Sequence, residues 1–233
     1  MDVRDRFHLL VPAAGTGTRA GTVVPKQYQV LAGQALILHT LLALSRVPDM
    51  ASLNVVIRED DDQLRPLLAG VDALCAVRVF GVGGATRAAS VAAGLRSLRE
   101  HGAHEHDWVL VHDAARCLIE PAWVIELIEQ CRSDPVGGLL ALPLPDTLKQ
   151  ADAQGRVSAT LPRGDKWLAQ TPQMFRHGLL LDALRKAGVD DVTDESSAVE
   201  RLGHRPRLVM GSPRNLKVTR PEDALLAELI LKL

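Results

Sequence analysis

The sequence predicts an α/β fold, a mostly parallel sheet flanked by helices, and three observations carry that expectation. Short β-branched or aliphatic runs alternate with stretches of helical periodicity, the pattern of repeated βαβ units. The 233 residues, 47% hydrophobic and 24% charged, can bury one substantial core but would be cramped as two, so residues 1–233 are read as one domain with an embellishment. The rhythm breaks in one place, between Pro143 and Arg163.

In chain order, strands are expected at Phe7–Ala13, Leu53–Ile57, Val77–Phe80, Trp108–His112 and Gly137–Leu142, where apolar residues run together. Leu36–Arg46 and Trp123–Cys131 read as helices. Ala88, Val91, Ala92, Leu95 and Leu98 recur at the spacing of one buried helix face. A last helix is announced by Thr219, Pro221 and Glu222, because T-x-x-E makes a capping box and proline suits a first turn. Leu225, Leu226, Leu229, Ile230 and Leu233 supply its apolar face. Within residues 143–163, Pro145, Asp146, Asp152, Gly155 and Pro162 punctuate short alternating pieces, so this segment is expected to protrude as a β-arm turning at A-D-A-Q-G.

Composition excludes several functions. A formal net charge of -1 leaves no basic excess for contact along a duplex, so no nucleic-acid partner is expected. Trp108, Trp123 and Trp167 are too scattered for a stacking platform and read as packing residues. Cys75, Cys117 and Cys131 are odd in number and set in apolar surroundings, so they are expected reduced and buried, in the cytoplasm. No apolar stretch reaches the roughly 18 residues of a membrane span, and the first residues enter a strand without a leader-like apolar run. His101, His104 and His106 with Glu105 imitate a metal cluster, yet they fall in a polar turn with no second ligand group in view.

Three constellations carry chemistry. The first strand runs into Gly15-Thr16-Gly17-Thr18-Arg19, followed by Pro25-Lys26-Gln27-Tyr28. Glycines let backbone N–H groups wrap phosphate oxygens, and Arg19 and Lys26 add fixed positive charge. Gly15, Gly17 and Ala20 also satisfy a dinucleotide fingerprint, the mark of an NAD-dependent oxidoreductase. Against it, Gly21, Val23, Val24 and Pro25 argue for continued loop where that motif needs a helix. The second constellation, Gly83 to Val91, is a glycine loop entering a helix; Arg87 and Ser90, three apart, share a face toward the sheet's carboxyl edge, where an anion is favoured. Thr86 capping a helix beside a solvated Arg87 is the plainer reading of that stretch. The third is Val109 to Arg116, a buried strand ending in His112-Asp113. A carboxylate there, facing a phosphate loop, suits Mg²⁺, and Asp113 is the metal candidate; an ion pair with Arg116 is the alternative.

The ordered set PAAGTGTR, PKQY, GGATRAASV, VHDAAR, PDTLK, TPQMF, TDESSAVE and NLKVTRPED, spanning residues 12–223, resembles the 2-C-methyl-D-erythritol 4-phosphate cytidylyltransferase family. That resemblance implies a Rossmann-like nucleotidyltransferase fold, a homodimer formed through the β-arm, and a place in the non-mevalonate route to isoprenoid precursors. It implies that Arg19 and Lys26 contact the phosphates of CTP and, with Arg163 and Lys217, stabilise the transition state. Ala13, Ala14, Gly15, Gly17, Gly84, Arg87 and Ser90 would shape the CTP site. Thr147, Arg163, Thr193 and Lys217 would hold the phosphorylated polyol, with Asp113 and Arg116 nearby and Mg²⁺, or another divalent cation, at Asp113; Thr147 and Arg163 would act across the dimer. A ribitol-5-phosphate cytidylyltransferase shares the nucleotide half and remains the alternative. Two positions depart from the family pattern: Cys117 stands where proline is usual and Ala85 where an acidic residue is common.

Overall fold

The computed structural model describes residues 5–15, 25–188 and 192–232. In chain order the first half comprises β1 (Phe7–Pro12), β2 (Val30–Leu31), β3 (Gln34–Ala35), α1 (Leu36–Leu44), β4 (Met50–Val56), α2 (Leu64–Ala69), β5 (Arg78–Phe80), α3 (Arg87–Glu100) and β6 (Trp108–Val111). The second half comprises α4 (Pro121–Cys131), β7 (Gly137–Pro143), β8 (Leu148–Ala151), β9 (Val157–Leu161), β10 (Trp167–Arg176), α5 (His177–Ala187), α6 (Glu195–Glu200), β11 (Arg207–Met210) and α7 (Pro221–Leu231).

Among the described residues the central sheet has the order β11-β7-β10-β6-β1-β4-β5. Strands β6, β1, β4 and β5 run parallel, as does β11 with β7, while β10 is antiparallel to both its neighbours. Helices cover both faces, so β6 and all of β1 except Pro12 are buried and read in sequence as continuous apolar runs. Leu9 and Val11 point toward α1, α2 and α4; Leu10, Val109 and Val111 point toward α3, α5 and α6. The α3 stripe of Val91, Leu95 and Leu98 is at most 1% exposed, and each such side chain contributes roughly 1.5–3 kcal/mol of burial. Gly94 lets α3 lie close: a Cβ there would stand 2.6 Å from Val56 Cγ2 and 3.0 Å from Leu10 Cδ1.

Register decides where the site falls. Leu10 pairs with Val111 on one side and Asn54 on the other, so β1 and β4 end level, β6 stops two residues earlier, and the glycine loop after β1 and Asp113 after β6 share the carboxyl edge. Because β10 reverses between β6 and β7, β7 also ends at that edge and the β8–β9 hairpin departs from it. At the opposite edge, His8 lies 2.8 Å from Ser52 Oγ and 3.2 Å from Asp107 Oδ2. This imitates a hydrolytic triad, but Ser52, His8 and Asp107 are 8%, 2% and 0% exposed, so it ties β1 to its neighbours and reaches no substrate.

Several expectations need correction. Leu225, Leu226 and Leu229 of α7 are 64%, 50% and 56% exposed, and Ala227 is the residue that buries, so the leucine stripe is an outer face. Asp223, not Glu222, closes the helix start, its Oδ2 accepting from Thr219 N, Thr219 Oγ1 and Arg220 N, each at 2.8 Å. Cys75 is exposed, whereas burial pushes the thiols of Cys117 and Cys131 up to about 11. Trp167 is 37% exposed. Strand β10 is not among the strands expected from sequence; it carries Pro172, and the register shifts between Ala169 and Gln173, an irregularity that admits the proline.

Candidate active site

A cavity of about 1230 Å³ opens at the carboxyl edge, larger than the roughly 300–1,000 Å³ of common small-molecule sites. Its walls include Ala13, Ala14 and Gly15 after β1, Gly84, Arg87 and Ser90 at the start of α3, and Lys26, Asp113 and Lys217. The structure thus brings together side chains from five stretches of sequence. Gly17 and Arg19, and with them the decisive part of the dinucleotide fingerprint, lie outside the described residues.

Each wall is held by local chemistry. Gln27 Nε2 donates to Ala13 O at 2.9 Å and Gly15 O at 3.1 Å, pinning the Lys26–Tyr28 turn to the first glycine loop. Tyr28 donates to Asp61 at 2.6 Å from the other side. In the second loop, Thr86 caps α3 by accepting from Ala89 N, while Ser90 Oγ accepts from Gly84 N at 3.1 Å and donates to Thr86 O at 2.9 Å. The fourteen-residue α3 therefore aims its positive end into the cavity, which suits an anion.

The two glycine loops touch at Gly83. A Cβ there would run into the Ala14 Cβ and lie 2.8 Å from Ile57 O. Gly83→Ala is expected to force the loops apart at a cost of about 1–3 kcal/mol. Calorimetry should register this as a Tm lowered by several degrees.

The electrostatics centre on Asp113. Lys217 Nζ lies 2.8 Å from its Oδ2, Arg87 Nε 2.7 Å from its Oδ1, and Arg116 Nε only 3.9 Å away, so the expected Arg116 partner is the weakest of three. Burial alone would raise the Asp113 carboxyl, but the charges of Arg87 and Lys217 overcome it and hold the group well below the ordinary carboxylate range. Arg87 is not the solvated cation of the plainer reading: its Nη1 and Nη2 also reach Glu195, at 2.6 and 3.0 Å. Lys26 is drawn below its ordinary value chiefly by burial, with Asp223 opposing and Lys217 reinforcing the shift.

His112 is structural. Asp113 N donates to Thr171 Oγ1 at 3.0 Å, which lies 3.1 Å from His112 Nδ1, while Nε2 faces Arg116 O. Burial pushes the ring down to about 4, so it is neutral at physiological pH. Lys217 is carried into the cavity by fixed neighbours: Val218 N donates to Ala115 O at 2.8 Å, and buried Asn215 donates to Thr171 O at 2.8 Å.

Four candidate residues stand apart from the cavity wall. Arg116 directs its guanidinium to the carbonyls of Asn215 and Ala169, at 2.7 and 3.3 Å. Thr193 is exposed, just ahead of α6, with its hydroxyl 3.3 Å from Ser197 Oγ. Thr147 and Arg163 are exposed at the base of the hairpin, flanking the Leu148–Leu161 pair. Sequence reasoning missed Gln27 and Glu195 as site-builders. Glu195 stood inside the quoted TDESSAVE, but nothing local signals a partner 108 residues away.

A cluster of three or more His, Cys, Asp or Glu side chains fit to hold a metal does not occur among the described residues. The rings of His104 and His106 stack at 5.5 Å, and Glu105 pairs with Arg99 at 2.9 Å. Asp113 is an ionised carboxylate on the wall of an anion-favouring cavity, the character Mg²⁺ exploits when phosphates supply its remaining ligands, and the ion would share oxygens already facing Arg87 and Lys217.

Comparison with known proteins is consistent throughout the chain. A bifunctional enzyme IspD/IspF of Albidiferax ferrireducens is 56% identical over 99% of this chain, which spans 54% of that protein's length. The 2-C-methyl-D-erythritol 4-phosphate cytidylyltransferase of Chromobacterium violaceum is 52% identical, covering 95% of this chain and 96% of its own. A crystal structure of 4-diphosphocytidyl-2C-methyl-D-erythritol synthase superposes with a TM-score of 0.86 at 41% identity, covering 99% of this chain and 100% of that one. With residues 7–233 matching its family model as well, the chain belongs to the IspD, or 2-C-methyl-D-erythritol 4-phosphate cytidylyltransferase, family.

Proposed function

We propose that this chain joins CTP to 2-C-methyl-D-erythritol 4-phosphate, giving 4-diphosphocytidyl-2-C-methyl-D-erythritol and pyrophosphate, as a cytoplasmic step toward isoprenoid precursors. The observation that carries the reading is the convergence of Lys26, Lys217 and the α3 amino end on one cavity, in a chain of this family.

The acceptor's phosphate oxygen attacks the α-phosphorus of CTP and pyrophosphate departs. The nucleophile is anionic on arrival, so no activated serine, cysteine or histidine is needed. What the protein supplies is alignment of two repelling anions and fixed charge where negative charge grows. Lys26 faces the triphosphate, a role the family pattern gives to Arg19 as well; Lys217 meets the acceptor phosphate. The glycine loops and Ser90 seat the cytidine, and backbone groups read the base where Ala85 offers no side-chain acceptor. Asp113 would hold Mg²⁺, which when bound neutralises phosphate oxygens.

Thr147 and Arg163 serve the cavity of a second copy in this reading. Support comes from their position off their own chain's cavity and from exposed apolar side chains along the hairpin, Val157 beside its turn at 65% and Trp167 and Leu168 just beyond its base at 37% and 48%. The test is pyrophosphate release from CTP with methylerythritol phosphate or ribitol 5-phosphate. Rapid release with the first alone is expected; preference for the second would reassign the acceptor, and none with either would refute the assignment. Solution mass at micromolar concentration should be that of a dimer, and a monomer would remove the shared site.

A further inference from the structure

The candidate site contains a row of charges that phosphate binding does not explain. Glu195, Arg87, Asp113 and Lys217 alternate in sign across contacts of 2.6, 2.7 and 2.8 Å. Their formal charges cancel, so the row adds no net attraction for an anion. Its contribution is geometric. Arg87 spends three nitrogens on two carboxylates, a bridge that the rigid guanidinium fork can span and a lysine cannot.

The far end of the row is its most fixed member. The Glu195 side chain is 1% exposed, against 28% for Arg87 and 43% for Lys217. Its backbone neighbours are clamped to β10 from both sides: Gln173 Oε1 accepts from Ser196 N at 2.7 Å, and Gln173 Nε2 donates to Asp194 at 2.8 Å. Asp194 in turn caps α6 by accepting from Ser197 N at 3.0 Å. A buried ion pair is weak as a stabiliser, since a packed apolar pair would join α3 to α6 as well or better. Retaining charge here makes sense if the orientation of the next group matters.

We propose that Glu195 is a positioning residue for the transfer reaction: it fixes the Arg87 fork, and through Arg87 the Asp113 carboxylate that orients Lys217. The α6 start, two residues after Thr193, is thereby locked to the nucleotide wall as one unit. This inference rests on the cytidylyl-transfer reading above.

The experiment uses full-length chain with CTP and methylerythritol phosphate, comparing wild type, Glu195→Gln, Arg87→Lys and the double variant. Wild-type turnover comes first; its absence would overturn the functional reading and this inference with it. Given turnover, Glu195→Gln should lower kcat on the order of 10- to 100-fold while the KM for CTP moves less than about threefold, because alignment is lost and nucleotide contacts are kept. Glu195 acts only through Arg87, so the double variant should be no slower than Arg87→Lys alone. Losses that multiply, or a folded Glu195→Gln protein with unchanged kcat, would overturn the proposal. A lowered Tm with full turnover per folded molecule would do the same, since that is the signature of a merely structural tie. Should Glu195→Gln fail to fold, Glu195→Asp decides: a lowered kcat with the KM for CTP moving less than about threefold supports the relay, and unchanged kcat refutes it.

Discussion

Replacing Lys26 by alanine is expected to leave the fold intact and to lower kcat on the order of 10²- to 10³-fold, about 3–4 kcal/mol of transition-state stabilisation. The turn bearing Lys26 is held by Gln27 on the glycine loop and Tyr28 on Asp61, so removing the ammonium takes away charge without taking away an anchor. Burial already draws this lysine below its ordinary value, the mark of a cation kept partly out of water. Charge placed so acts more strongly on a phosphate than it would in solvent. Circular dichroism should superpose on wild type while pyrophosphate release collapses; turnover near wild type would end the assignment of Lys26 to the reacting phosphates.

Asp113→Asn should damage both stability and turnover. The side chain is 10% exposed and lies against Arg87 and Lys217, so the amide leaves two cations short of a counter-charge. Removing one partner of a buried pair costs about 3–5 kcal/mol. Because Lys217 is 43% exposed and water screens it, about 2–3 kcal/mol is the better expectation. Burial works to raise this carboxyl and the two cations hold it low, so the folded group titrates below its unfolded counterpart. The sign follows: the wild-type advantage is fully present above about pH 4 and disappears as pH falls through the depressed folded value. Urea unfolding of both proteins at pH 7 and near pH 3 tests this, since the gap between them should narrow in acid. Turnover should drop at least 10²-fold, because Lys217 loses the group that aims it; a variant as stable and active as wild type would contradict the account.

The central strands were legible in the sequence because burial on both sheet faces leaves little but aliphatic residues, as in Leu9, Leu10 and Val11. The α3 stripe was legible because one helix face meets the sheet. Strand β10 was not: Pro172 speaks against a strand, and the irregular register that accommodates it is a property of its pairing with β7. The α7 leucines misled for the opposite reason, since a regular apolar stripe says that a face wants cover but not that the same chain supplies it. In the site, glycine loops and cations could be picked out by type and order. The assignment of Arg87 to a strut between Asp113 and Glu195 could not, because it depends on contacts 26 and 108 residues distant.

Cys75 follows the short Asp72–Leu74 turn and precedes the first residue of β5, whereas Gly83 and Gly84 lie beyond that strand's last. A maleimide dye added near neutral pH therefore meets one accessible sulfur, the other two being buried thiols with little thiolate to offer. The label would sit at the far end of the edge strand from the nucleotide loops. The unaltered chain thus comes with its own attachment point for fluorescence, by which the self-association proposed above can be tested while the reaction runs.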